Sequence, residues 1–292
     1  MVARLASVLI VCWLGFILAG PNLAIASQTE QGHGIATESM NRPNLLVIIT
    51  DQQHAGMLSC AGNPYLRTPA MDSLAAQGVR FELAYTTNPV CVPARMSLVT
   101  GRMPSAFQMR SNAEVKNPAP REAIEQAMGW IFRKAGYRTV YGGKTHWMRG
   151  MTPQTTGFEE LTKDTREELA RKCAEFLSGP PQEPFLLVAS FINPHDICLM
   201  AIDAFTRATG RESIYPELKR DRECLAEALR RPEGISEAEF FARLCPPLPS
   251  NYEIPGDEPD GVSLSYLPLQ SFRRYVREHW GEREWRLHRW AY

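Results

Sequence analysis

Two kinds of apolar run organise this chain. Asn44–Thr50 and Pro184–Phe191 are short and continuous, with Leu45, Leu46, Val47, Ile48 and Ile49 in one and Phe185, Leu186, Leu187, Val188 and Ala189 in the other. Continuous apolar runs of this length predict strands buried on both faces, as in an α/β sheet. Arg138–Tyr141 predicts a third, shorter strand that runs into Gly142-Gly143. The second kind of run is spaced at three and four residues. Ile124, Ala127, Met128, Ile131 and Phe132 predict a helix over 121–135, ended by Gly136. Leu169, Cys173, Phe176 and Leu177 predict another over 165–177. Thr68-Pro69 and Gly78 bound a further helix, because threonine caps, proline suits the first turn and glycine ends it. Val79, Phe81, Leu83 and Tyr85 alternate with Arg80, Glu82 and Ala84, so 79–85 is expected to be extended.

The N-terminus follows another rule. Arg4 precedes an almost wholly apolar stretch from Leu5 to Gly20, and Ala24-Ile25-Ala26 offers an Ala-x-Ala cleavage site. This predicts a secretory signal peptide over residues 1–26. The apolar run is shorter than the roughly 20 residues that span a bilayer, so no stable membrane span is expected after cleavage. Residues 27–42 are polar and read as a flexible leader. The mature chain is therefore expected to be exported, to a periplasm or the extracellular space. Of the seven cysteines Cys12 leaves with the signal peptide; export makes one or two disulfides feasible among the others, and the absence of a Cys-x-x-Cys pair argues against a zinc ribbon. The 32 basic and 32 acidic residues cancel, which argues against a nucleic-acid partner. Residues 200–262 carry few clear signals, and 246–249 and 255–261 read as loops. From Ser271 onward, Arg, Glu and Trp interleave as on an exposed helix face.

The candidate chemistry starts at Cys91-Val92-Pro93-Ala94-Arg95, which leads through Met96-Ser97-Leu98-Val99 to Thr100-Gly101-Arg102. Pro93 suits a first helical turn and Gly101 a helix end, so Cys91 is expected at the start of a short helix. Amide N–H groups and the dipole favour an anion there. Asp51 follows the first strand, and open α/β sheets place ligand sites at the carboxyl ends of strands. Lys144 and His146 are expected on one side of an extended segment after Gly142-Gly143. His195 ends another strand, held by Pro194 and followed by Asp196, and is well placed for proton transfer.

Together these segments resemble the type I sulfatases. Cys91–Gly101 is similar to that family's Cys-x-Pro-Ser/Ala-Arg signature followed by Thr-Gly. Gly136–His146 resembles its Gly-Tyr-x-Thr-x-x-x-Gly-Lys-x-His signature, and Phe191–His195 its Phe-x-x-Pro-His segment. The resemblance implies an alkaline-phosphatase-like α/β fold, with a mostly parallel sheet flanked by helices, and hydrolysis of a sulfate ester. It implies that Cys91 is oxidised after translation to Cα-formylglycine, the nucleophile, by a formylglycine-generating or anaerobic sulfatase-maturating enzyme. It further implies a calcium ion held by Asp51 and residue 91, with Gln52 where many relatives carry a second aspartate. By the same resemblance, Arg95 anchors the formylglycine and neutralises charge, and Lys144 binds the sulfate. His146 helps release the sulfate, and His195 protonates or polarises the leaving oxygen. A sulfated small molecule or sulfated glycan is the implied substrate, and 200–262 is expected to line its entrance.

Two alternatives stand beside this reading. One is a phosphonate or phosphodiester hydrolase of the same superfamily. The other is a non-catalytic sulfoglycan binder or inert remnant. The family pattern continues with an Asp-His-Gly or Asp-Asn-Gly that supplies further calcium ligands, and neither tripeptide occurs here. Residues 43–292 are therefore expected to be the N-terminal part of a sulfatase domain, with an incomplete calcium site and an unpaired strand edge.

Overall fold

The computed structural model describes residues 7–10, 42–180, 183–211, 218–260 and 271–292. Most of the expected signal peptide and leader lies outside the described residues. Five strands form one sheet in the order β1-β2-β5-β3-β4. They are β1 (Ser7–Ile10), β2 (Leu45–Asp51), β3 (Arg138–Gly143), β4 (Glu159–Thr162) and β5 (Phe185–Pro194). β1 pairs with β2, β3 with β4 and β3 with β5, all in parallel. The helices include α1 (Pro69–Gln77), α2 (Cys91–Thr100), α3 (Arg121–Glu125), α4 (Met128–Lys134), α5 (Glu167–Ser178), α6 (Cys198–Thr209) and α7 (Leu218–Ala228). The chain divides into two compact units. The first holds Met1–Asp51 and Gln77–Ile192, the second Gln52–Ala76 and Asn193–Tyr292.

In the first unit, alternation along β5 sends side chains into two cores. Leu186 and Val188 join Val92, Met96 and Val99 of α2, whereas Leu187 and Ala189 join Val140, Leu169 and Cys173. With both faces covered, β5 has no polar face to alternate with, which is why it reads as a continuous apolar run. β2 departs from the same expectation. Among its residues only Ile49 and Asp51 are buried, because it lies second from the sheet edge beside the four-residue β1. β1 itself comes from within the expected signal peptide and pairs the side of β2 away from β5.

The helix expected over 121–135 is two helices. Ala127 breaks it with extended backbone (φ −64°, ψ 153°). The break lays Gly129 against the 156–158 turn, where a Cβ would come within 2.4 Å of the Thr156 carbonyl and 2.7 Å of the Phe158 ring. Close backbone approach therefore overrides the helical spacing. Residues 79–85, expected to be extended, join no strand.

In the second unit, the Asp72 carboxylate accepts from the Ser59 hydroxyl (2.6 Å), the Cys60 amide (2.9 Å) and the Thr68 hydroxyl (2.9 Å), fixing the start of α1. Residues 198–209 and 218–228 are helical, where sequence reading found little signal. The stretch from Ser271 forms helices Phe272–His279 and Glu282–Ala291, and it is more than an exposed face. Val276 is buried, and the Trp290 ring packs edge-on against Phe240 at 4.9 Å. Among the described residues all six cysteines are free thiols, so the feasible disulfides are not formed. No helix among them is long and apolar enough to cross a membrane.

His288 lies between Trp280 and Trp285, each ring 5.8 Å away, and burial pushes its imidazole down to about 4. The unfolded chain takes up this proton near pH 6.5 and the folded chain only near pH 4. Between those values the unfolded state binds more protons, so stability is lost as pH falls, by up to about 1.4 kcal/mol per unit. Below that window the dependence ends. In urea unfolding at pH 7 and pH 4.5, His288→Gln should show a smaller acid loss than the parent, by about 2 kcal/mol. Equal losses would remove His288 as the source.

Candidate active site

The site in the first unit is assembled by strand ends and one helix start. β2 delivers Asp51, which is only 9% exposed. A lone buried carboxylate is costly, and two cations meet this one. Lys144 Nζ lies 2.7 Å and Arg95 Nη2 3.0 Å from its Oδ2. Arg95 sits on α2 four residues after Cys91, one helical turn along the same face. The other guanidinium nitrogen of Arg95 donates to the Lys144 carbonyl (2.8 Å) and the Ser190 hydroxyl (2.7 Å). The Cys91 thiol lies 3.9 Å from Asp51 Oδ1.

Register explains how Lys144 arrives. Gly143 pairs with Ser190 across β3 and β5, and the Lys144 amide donates to the Ser190 carbonyl at 2.8 Å. The Lys144 carbonyl then accepts from Arg95, from the Ser190 hydroxyl (2.8 Å) and from the Tyr141 hydroxyl (2.8 Å). Burial pushes the Tyr141 hydroxyl up, keeping it a donor. Gly143 has φ +91°, and a Cβ there would meet the Ser190 carbonyl oxygen at 2.1 Å. Gly143→Ala should therefore destabilise the chain by about 2–3 kcal/mol through backbone strain and the clash. A loss within 0.5 kcal/mol of zero in urea unfolding, where neutral surface substitutions fall, would contradict the register argument.

Electrostatics follows from this geometry. Burial raises the Asp51 carboxyl, but the Lys144 ammonium bonded to it and the Arg95 guanidinium outweigh burial and hold it below the usual carboxylate value. Two cations against one carboxylate leave the cluster with a net positive charge, suited to an anion. The helix start itself offers less than expected. The Val92 amide donates to the Asn112 side chain (2.9 Å), the Ala94 amide to the Val90 carbonyl (3.0 Å), and Pro93 has no N–H. Charge beside Cys91 thus comes chiefly from Arg95 and Lys144.

The other expected site residues stand as follows. His146 is half-buried with φ 48°, so left-handed backbone replaces the extended segment that sequence alternation implied. His195 belongs to the second unit, in a 3-10 turn directly after β5, with Nδ1 3.9 Å from Cys198 Sγ. Gln52 also belongs to the second unit. Its side chain is exposed, its φ is 66°, and its carbonyl accepts from the Tyr292 hydroxyl at 2.6 Å. Calcium takes six to eight oxygens. The first unit's cluster contributes one carboxylate, whose Oδ2 already carries two cations, so this donor set alone does not fit calcium. Sequence reading missed Ser190, Tyr141 and Asn112. Ser190 had a usable signal, a hydroxyl in an otherwise apolar strand.

The parallel sheet, with helices on both faces and charged groups gathered at its carboxyl ends, is here that of an alkaline-phosphatase-like α/β fold, as the likeness to a solved structure shows. The solved structure of a 2-O GAG sulfatase shares this fold, with a TM-score of 0.59 at 23% identity, over 86% of this chain and 50% of that one. A family model described as Sulfatase matches residues 43–220, and the chain belongs to that family. It is 32% identical over 200 residues to the uncharacterized sulfatase YidJ of Escherichia coli (strain K12), covering 53% of this chain and 39% of that protein. It is 33% identical over 178 residues to a Delta 4,5-hexuronate-2-O-sulfatase of Bacteroides thetaiotaomicron, covering 56% of this chain and 37% of that protein. The chain thus spans less than two-fifths of the length of these curated relatives.

Proposed function

We propose that this chain carries the nucleophile-bearing part of a sulfate-ester hydrolase. The observation that carries the reading is the positively charged Asp51–Arg95–Lys144 cluster, with the Cys91 thiol 3.9 Å from its carboxylate. Cys91 opens a helix with the signature of formylglycine-forming sulfatases. Once oxidised to formylglycine by a maturing enzyme, residue 91 supplies a hydrated aldehyde whose hydroxyl attacks sulfur. Lys144 and Arg95 stabilise the negative charge that spreads over the sulfuryl oxygens as the ester bond breaks. The motifs assign proton transfer at the leaving oxygen to His195 and at sulfate release to His146. Asp51 orients both cations and is the carboxylate this chain offers to a calcium ion. Gln52 is a candidate amide-oxygen ligand, and the remaining oxygens have to come from elsewhere in the domain.

The substrate is proposed to be a sulfated sugar, in line with the names of the hexuronate and GAG sulfatases above. Export is proposed from the Leu5–Gly20 run and its Ala24-Ile25-Ala26 site. The test is the mass of the Cys91 peptide after co-expression with a formylglycine-generating enzyme. The peptide should be lighter than its cysteine form, and an unmodified cysteine in the folded chain would remove the nucleophile. Parallel assays on a sulfate and a phosphonate ester of one aryl alcohol should show preference for the sulfate.

A further inference from the structure

A cleft of about 520 Å³ in the first unit is lined by Ser105, Gln108, Met109, Arg110 and Glu114, none of which the proposed chemistry uses. Its wall is tied to the chain on both sides of Cys91. The Asn88 side-chain amide donates to the Arg110 carbonyl (3.2 Å), and the Asn112 side chain accepts from the Val92 amide (2.9 Å). Asn88 precedes Cys91 by three residues, at most about 11 Å of chain. A disaccharide covers such a span. A second cleft of about 400 Å³ shares Gln108 and Glu114, so the two adjoin. The charged groups of the first cleft are both underused. Arg95, Arg102, Arg121 and Arg138 of the same unit each meet a carboxylate. Arg110 is exposed, and among the described residues its guanidinium makes neither an ion pair nor a hydrogen bond. The Glu114 carboxylate accepts from the Ser111 amide (3.0 Å) and hydroxyl (2.9 Å), and its own backbone amide and Ser111 hold it below the usual carboxylate value. A carboxylate has room for about four such bonds, so Glu114 can still accept from hydroxyls.

We propose that this cleft is a substrate subsite for a second anionic group, a carboxylate or a sulfate, on a sugar whose sulfate ester lies at residue 91, and that Arg110 selects it. The planar fork of an arginine binds such groups through two parallel hydrogen bonds. A bare anion satisfies Arg110 but is repelled by Glu114. A neutral sugar satisfies Glu114 and leaves the guanidinium unpaired. A sugar that carries both an anionic group and hydroxyls satisfies both residues. The inference rests on the sulfated-sugar reading above and narrows it to acidic sugars.

The test measures binding without turnover, by ligand-observed saturation-transfer NMR on the full 292-residue chain. The probes are glucuronate, glucose 6-sulfate, glucose and acetate. Glucuronate or glucose 6-sulfate should bind at least about tenfold more tightly than glucose or acetate, the worth of one charge-assisted pair. The tighter of the two identifies the group held. Arg110→Gln should abolish the advantage over glucose. Lys116→Gln makes the same charge change on the same segment outside the cleft, and should keep the advantage. Both side chains are exposed, so the urea midpoints of the variants should match the parent's. No advantage over glucose overturns the proposal. So does an advantage that survives Arg110→Gln, which would put the anion at Lys144 and Arg95 instead. An equal loss in Lys116→Gln overturns it as well, since net charge alone would then explain the binding, and acetate binding as tightly as the acidic sugars would remove the sugar. Failure here leaves the hydrolase reading standing, and a chain that turns nothing over but binds through Arg110 leaves this subsite standing.

Discussion

Asp51→Asn should destabilise the chain by about 3–5 kcal/mol, the cost of leaving buried charge uncompensated. The substitution keeps shape and size and removes only the charge that Lys144 and Arg95 share. Lys144 and Arg95 side chains are 13% and 6% exposed, so water does little to replace the carboxylate. Two cations would then face each other across the vacated charge. Replacing one of them as well, in Asp51→Asn/Lys144→Met, should recover part of the loss, because a single guanidinium keeps its bonds to Ser190 and the Lys144 carbonyl. Additive losses in the double variant would contradict the shared-carboxylate picture. The pH dependence has a definite sign. The folded carboxyl titrates below its ordinary 3.8, so its contribution is complete above that value and is lost as pH falls through the lower folded one. The gap between parent and Asp51→Asn in urea unfolding should be full at pH 6 and narrow below pH 3.8. A gap that stays constant through that range would mean the carboxyl is not held down.

Cys91→Ala should show the opposite profile. Stability should change by less than about 1 kcal/mol, since the thiol is only half-buried and its contact with Asp51 Oδ1 is long, at 3.9 Å. Aryl sulfate hydrolysis, in any matured preparation where the parent turns over, should fall on the order of 10⁴-fold or more, as for loss of other enzyme nucleophiles. Retained turnover would exclude catalysis through residue 91. The pair of variants separates two roles within one cluster. Asp51 holds the charges together, whereas Cys91 is positioned by them and contributes little to the hold.

How much of this was legible in the chain depends on the range of the interaction. Helix α2 was readable because Pro93 and Gly101 act within one turn of its ends, and Gly101 indeed takes the left-handed C-cap at φ 67°. β5 was readable because burial on both faces leaves no alternation to misread. The break at Ala127 was not readable, since it answers to Thr156 and Phe158, nearly thirty residues away. Helix α6 went unseen although its buried residues Ala201, Ile202, Phe205 and Thr206 fall at helical spacing, because no capping side chain marks its start. The 79–85 segment is the converse case. Its alternation read as extended, but among the described residues it joins no strand.

The sequence by itself determined the family, the order of the strands and helices around the motifs, and the identities of Cys91, Arg95, Lys144 and Asp51 as a chemical set. Those features depend on residue types at short, fixed spacings. Only the tertiary structure decided that Asp51 is the shared counter-ion of both cations and that Ser190 and Tyr141 hold the Lys144 backbone. It also decided that the amides at the start of α2 are largely spent on internal partners. Each of these depends on the parallel register of β3 against β5 and on where β2 ends relative to α2. Register is set by packing across the sheet, between residues far apart in sequence, and no local spacing encodes it.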